Sequence, residues 1–154
     1  SHVYFGFVKI LNTKLDTRLL QMKFGLSILN GHLFKYNILD NPFCPACLDN
    51  VETVEHLFFD CVEYNVQRLH LFHEINVILT TYYETIGKAC VFLHGLTSQV
   101  KLSLVLDGLP LCSDTNSVSI LSLATIQDLN VQLHKAVVNF MFVSLRFKPN
   151  YVRK

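Results

Sequence analysis

The chain has 154 residues, of which 51% are hydrophobic and 16% are charged, and its net charge is +1. This balance predicts a large buried core and excludes an intrinsically disordered chain. It is too weakly basic to indicate nucleic-acid binding from overall charge alone, and no apolar run reaches the roughly 18 residues of a membrane helix.

The charges are distributed unevenly along the chain. Residues 1–36 hold five lysines and arginines against one aspartate, and residues 146–154 hold four more cations. Residues 37–64, by contrast, hold six acidic residues and no lysine or arginine. We therefore expect a polyanionic partner to contact the two ends of the chain and not the acidic segment.

The first regular element predicted is a helix that starts near Thr13, a candidate N-cap, and stops at Asn30-Gly31. Its apolar residues recur at helical spacing, at Leu15, Leu19, Met22, Leu26 and Leu29. The apolar segment before it, residues 3–11, fits a buried strand and the start of a helix equally well.

Two further long helices are predicted. Turn-forming residues fill 37–48, and a helix then runs from Thr53 to about Leu79 with a break near Cys61. The longest helix covers about 114–147, with Pro149 as its stop signal. Its apolar stripe consists of Ile126, Leu129, Leu133, Val137, Phe140, Val143 and Phe147. Its N-cap candidates are Ser113, Asp114 and Ser117.

The strongest chemical motif is formed by Cys44, Cys47, His56 and Cys61, with the spacing C-x2-C-x8-H-x4-C. Three thiolates and an imidazole are a complete tetrahedral ligand set for Zn²⁺. Because the protein supplies all four ligands, the motif predicts one structural Zn²⁺ and not a hydrolytic site. We also expect backbone N–H groups to point at the sulfurs.

The spacing of the last two ligands makes a prediction about the backbone. His56 and Cys61 would lie about 140° apart around an ideal α-helix, too far apart to share one ion. The helix must therefore end or bend near Cys61. The apolar triplet between them, residues 57–59, cannot be buried by so short a lobe, so it should pack on the first or the last helix.

These elements predict one mainly α-helical domain over residues 1–154, with a zinc knuckle lobe inserted at 41–64, with or without a short strand or hairpin. The odd number of cysteines favours a reducing compartment, and hence an intracellular protein, nuclear or cytoplasmic. The remaining Cys–His pair, Cys90 and His94, lacks a third group to orient it, so the chain is predicted not to be an enzyme. Neither a membrane nor a small-molecule substrate is expected as a partner.

The segment Asn41–Tyr64, NPFCPACLDNVETVEHLFFDCVEY, resembles the zinc-binding region of non-LTR retrotransposon reverse transcriptases. The four candidate ligands take that region's metal positions, and Glu52, Thr53 and Glu55 match the acidic lead to its histidine. The preceding residues 20–39 are similar to the helix and Gly-His link that lead into the knuckle. The resemblance implies a C-terminal CCHC module that helps to hold RNA or target DNA, although no polymerase motif is present.

If the chain binds nucleic acid, the phosphate contacts should come from the cations near its two ends. These are Lys14, Arg18, Lys23, Lys35, Arg146, Lys148, Arg153 and Lys154. The alternative is an isolated or domesticated zinc domain that binds a protein partner or self-associates. The high apolar content and the acidic knuckle lobe favour this second reading.

Overall fold

A computed structural model describes residues 14–111 and 120–148. This part of the chain is mainly helical, which confirms the predicted fold class. Its α-helices are α1 (Lys14–Lys23), α2 (Asn30–Lys35), α3 (Asn65–Ile86), α4 (Ser98–Asp107) and α5 (Ile120–Ser144). A π-helical turn covers His56–Asp60, and 3-10 turns cover Val62–Tyr64 and Leu93–Gly95.

Several predicted features lie outside the described residues. They are the segment 3–11, the helix caps at Thr13, Ser113, Asp114 and Ser117, and the stop at Pro149. None of the helices in the described ranges is long and apolar enough to cross a membrane.

Helix α1 is shorter than predicted. It ends at Lys23, and Gly25 adopts a left-handed conformation with φ of 70°, which is favourable only for a residue without a Cβ. The pair Asn30-Gly31, predicted to stop the helix, instead begins α2. Gly31 is needed there for close packing, because a Cβ on it would lie 2.5 Å from the Glu52 carbonyl oxygen.

The described residues divide into two compact units, and the boundaries between them fall within α3 and α5. The first unit contains residues 71–111 and 120–137. In it the buried Asn130 side chain accepts a hydrogen bond from the Leu109 N–H at 2.7 Å and donates one to the Leu109 carbonyl at 3.2 Å. This pair of bonds ties the loop after α4 to α5.

The second unit contains residues 14–70 and 138–148. Its aromatic core is built around Phe58, whose ring centroid lies 5.3 Å from that of Phe140 on α5. The ring of Tyr64 meets Phe140 edge to face at 6.3 Å. The apolar triplet of the knuckle was expected to pack on the first or the last helix, and its central residue, Phe58, packs on the last.

Helix α5 carries the predicted apolar stripe but ends three residues before the predicted boundary at 147, at Ser144. Leu145 then takes a left-handed conformation with φ of 64°, and this conformation terminates the helix. The stripe is buried at Ile126, Leu129, Leu133, Val137 and Phe140.

Replacing the central ring of the second unit should be costly. Because Phe58 is fully buried, Phe58→Ala should lower the free energy of unfolding by about 3–5 kcal/mol through lost transfer energy and the resulting cavity. Urea unfolding followed by circular dichroism measures this. The matched control is Phe24→Ala, since that side chain is 64% exposed and should change stability little. Equal stability of both variants would contradict the packing of Phe58 on α5.

Candidate metal centre

The first two candidate ligands, Cys44 and Cys47, lie in a loop closed by a short antiparallel pairing of Phe43 with Val51. The Cys44 N–H donates to the Asn50 carbonyl at 2.7 Å, and the Glu52 N–H donates to the Pro42 carbonyl at 2.9 Å. Among the described residues this bridge is the only β-type pairing, and it corresponds to the short hairpin allowed by the sequence.

The other two ligands are positioned by the π-helical turn His56–Asp60. The Thr53 hydroxyl accepts a hydrogen bond from the His56 N–H at 3.0 Å and so caps the start of the turn. The Cys61 N–H donates to the His56 carbonyl at 2.8 Å, an i→i+5 bond in place of the α-helical i→i+4 bond. Cys61 itself is extended, with ψ of 122°. The predicted break near Cys61 is thus confirmed.

The donor atoms of Cys44, Cys47, His56 and Cys61 all lie within 4.8 Å of one another. The Cys44 and Cys61 sulfurs are 3.8 Å apart, and the Cys47 sulfur is 3.4 Å from His56 Nε2. Around a tetrahedral ion bound at about 2.3 Å by sulfur and about 2.05 Å by nitrogen, these separations would be about 3.8 and 3.6 Å. The three cysteines form no disulfide. The structure thus brings the four predicted ligands close enough together to hold a metal ion.

Backbone N–H groups surround the sulfurs, as expected for a thiolate centre. The N–H groups of Ala46 and Cys47 bond the Cys44 sulfur, and that of Glu63 bonds the Cys61 sulfur. The Cys47 sulfur receives the N–H groups of Asp49 and Asn50. These dipoles stabilise negative charge on each sulfur.

Burial nevertheless opposes ionisation of two of the thiols. It raises the pKa of Cys61 to about 12, with the nearby Cys44 adding to the effect, and it also raises the pKa of Cys44. At Cys47 burial also opposes ionisation, but the two N–H bonds and the hydrogen bonds with the Cys44 and Cys61 side chains together outweigh it, and the pKa of this thiol is lowered. Burial lowers the pKa of His56 as well, which favours the neutral, metal-binding imidazole. Three thiolates this close need a cation among them to ionise together.

Arg68 on α3 completes the backbone hydrogen bonding of the π-helical turn. It is 3% exposed, and its guanidinium donates to the carbonyls of Phe58 and Cys61 at 2.8 Å and of Leu57 at 3.0 Å. Sequence reasoning missed this residue. The only indication of its role in the sequence was that it is the one charged residue in the first turn of α3.

Glu52 was also missed as a structural residue. Its carboxylate is fully buried and forms a bidentate ion pair with Arg146, at 2.6 Å from Nε and 2.8 Å from Nη2. The same carboxylate accepts the Asn30 N–H at the start of α2 at 2.7 Å. Arg146 in turn donates to the Ile28 carbonyl at 3.2 Å. One buried pair thus joins the knuckle, α2 and the segment after α5.

This geometry contradicts the predicted role of Arg146 as a phosphate contact, because its guanidinium is committed to Glu52 inside the protein. The other predicted phosphate contacts differ in their exposure. Arg18 is half-buried and donates to the Gln21 side chain at 3.1 Å. The exposed candidates are Lys14, Lys23, Lys35 and Lys148. Arg153 and Lys154 lie outside the described residues.

No protein-family model, curated protein or solved structure matches the chain. Any assignment of function must therefore start from the geometry of the cysteine–histidine cluster.

The Glu52–Arg146 pair can be tested by removing one partner at a time. Glu52→Gln or Arg146→Met leaves an uncompensated buried charge, so each should lower the free energy of unfolding by about 3–5 kcal/mol. The double variant should cost less than the sum of the two. Chemical denaturation measures all three, with the half-buried Glu55→Gln as the control. Additive effects of the two single substitutions would contradict a direct pair.

Proposed function

We propose that Cys44, Cys47, His56 and Cys61 bind one Zn²⁺ ion that serves as a structural crosslink. The observation that carries this proposal is the convergence of four donor atoms within 4.8 Å, three of them sulfurs without a disulfide. Tetrahedral sites with mainly thiolate ligands favour zinc over magnesium or calcium, which require oxygen.

The residues around the four ligands indicate the structural role that a bound ion would have. When bound, zinc supplies a link between the Cys44–Cys47 loop and the His56–Cys61 turn. Arg68 and the Glu52–Arg146 pair then hold that lobe against α3, α2 and the end of α5. Since all four positions are protein ligands, the site has no place for a substrate, and we propose no catalytic role. Cysteines that form no disulfide support the further proposal of a reducing, intracellular compartment.

We further propose that the chain is a zinc module of the type found near the C-terminus of non-LTR retrotransposon reverse transcriptases, where it assists nucleic-acid binding. The support is the motif together with its local structure. Besides the four ligands, two residues of the matching stretch have defined roles: Glu52 anchors Arg146, and Thr53 caps the turn that carries His56.

Exposed lysines and aromatic residues at the ends of α1 and α2 support the nucleic-acid part of this proposal. Lys23 is followed by Phe24, which is 64% exposed, and Lys35 lies between Phe34 and Tyr36, which are 46% and 49% exposed. Exposed rings next to lysines are the combination with which proteins stack bases and contact phosphates of single strands. We therefore propose single-stranded RNA or DNA as the nucleic-acid partner.

The metal proposal predicts one zinc per chain, bound tightly enough to decide whether the knuckle folds. Structural zinc sites contribute roughly 10–16 kcal/mol apparent at neutral pH, which is comparable to or above the stability of a typical domain. Cys47→Ser should therefore lose the metal and unfold the lobe, as measured by elemental analysis and by near-ultraviolet circular dichroism. Cys90→Ser is the control, because Cys90 is exposed and is not part of the cluster. Purified protein that is folded but contains no stoichiometric metal would contradict the proposal.

The nucleic-acid proposal predicts a loss of ionic contacts when α1 is neutralised. Replacing Lys14, Arg18 and Lys23 together by alanine should flatten the dependence of log K on log salt by about 2 units for a single-stranded oligonucleotide. The control removes the same charge elsewhere, at Lys88, Lys101 and Lys135. Fluorescence anisotropy at several salt concentrations gives both slopes. A slope equal to that of the unmodified protein would show that the α1 cations do not contact phosphates.

A further inference from the structure

The tip of the knuckle exposes three large apolar side chains, Phe43, Leu48 and Val51, which we call the knuckle-tip patch. They are 42%, 49% and 44% exposed, respectively. Phe43 and Val51 are paired without hydrogen bonds between themselves, since the bonds run from Cys44 to Asn50 and from Glu52 to Pro42. In such a pair the Cα atoms are about 4.5 Å apart and the side chains lie next to each other. The two residues therefore form one continuous apolar surface.

Leu48 lies in the loop 44–50 that this pair closes, and its backbone is in the left-handed region with φ of 64°. That conformation costs a branched residue such as leucine roughly 1–2 kcal/mol, whereas glycine adopts it freely. Half of the Leu48 side chain is exposed, so its burial offsets little of this conformational cost. Neither the backbone conformation nor burial therefore favours a leucine at position 48.

The exposed charged residues nearest to the knuckle-tip patch in the sequence are acidic. Asp40 and Asp49, which flank it in sequence, are both exposed. No lysine or arginine occurs between residues 37 and 64, and the two arginines that contact this segment, Arg68 and Arg146, are buried in hydrogen bonds. A phosphate backbone would be repelled here, while a cationic chain would be attracted.

From this combination we infer that the knuckle-tip patch is a docking surface for a cationic, apolar segment of a partner polypeptide. Apolar side chains of the partner would cover Phe43, Leu48 and Val51, and its lysines or arginines would pair with Asp40 and Asp49 at the rim. The inference requires only the folded knuckle. It does not depend on nucleic-acid binding, which we assign to α1 and α2.

The test uses the full chain and a fluorescein-labelled 16-residue synthetic peptide of alternating leucine and lysine pairs. Fluorescence anisotropy should show binding that weakens with salt. A peptide with glutamate in place of lysine and one with serine in place of leucine should both bind at least about tenfold more weakly, a difference of about 1.4 kcal/mol.

The decisive variant is Leu48→Gly, because it removes an exposed side chain and relieves the backbone at the same position. It should keep its metal content and be at least as stable as the unmodified protein, yet bind the peptide about tenfold more weakly. Phe43→Ser should weaken binding similarly. The matched control is Val66→Ser on α3, where the valine is 78% exposed and lies outside the patch.

Equal affinity of Leu48→Gly and the unmodified protein for the peptide would overturn the inference. So would concentration-dependent self-association that Leu48→Gly abolishes without any peptide binding, because the occupant would then be a second copy of the chain. Loss of oligonucleotide binding in Leu48→Gly would likewise assign the patch to nucleic acid and overturn it. Peptide binding that persists when oligonucleotide binding is absent would support the docking surface and count only against the nucleic-acid proposal.

Discussion

The hydrogen bond from the Cys61 N–H to the His56 carbonyl, 2.8 Å long, is the contact on which the candidate metal centre depends. An α-helical bond at this point would turn Cys61 about 140° away from His56. The wider π-helical turn instead returns the chain to the same side after five residues. It also leaves the carbonyls of Leu57 and Phe58 without helical donors, and the Arg68 guanidinium supplies them. The π-helical turn therefore accounts both for the positions of His56 and Cys61 and for the buried hydrogen bonds of Arg68.

A second constraint fixes the knuckle to the elements around it. The carboxylate of Glu52 is fully buried and is satisfied by Arg146 and by the Asn30 N–H. A buried ion pair adds little stability compared with apolar packing, but it strongly penalises arrangements in which either charge lacks its partner. The pair therefore acts mainly by specifying how α2, the knuckle and the segment after α5 meet. The Phe58–Phe140 contact in the same unit supplies apolar burial.

The features that sequence predicted were those that depend on local spacing. The ligand motif spans only 18 residues, the break follows from the five-residue step between His56 and Cys61, and the stripe of α5 follows from repeated steps of three or four residues. The Glu52–Arg146 pair joins residues 94 apart, and in the sequence both resembled surface charges. The predicted end of α1 was also wrong. It was placed too far along the chain because Leu26 and Leu29 continue the helical spacing past Gly25. Leu26 proves to be 62% exposed, and Gly31 is a close-packing residue and not a stop signal.

The central claim is that three sulfurs and one nitrogen share a single zinc ion. X-ray absorption at the zinc edge of the purified, fully metallated chain tests it most directly, because the fine structure counts sulfur and nitrogen neighbours separately. The expected shell is three sulfurs at about 2.3 Å and one imidazole nitrogen at about 2.0–2.1 Å. A shell with two or fewer sulfurs, or one dominated by oxygen, would contradict the convergence of Cys44, Cys47, His56 and Cys61 on one ion.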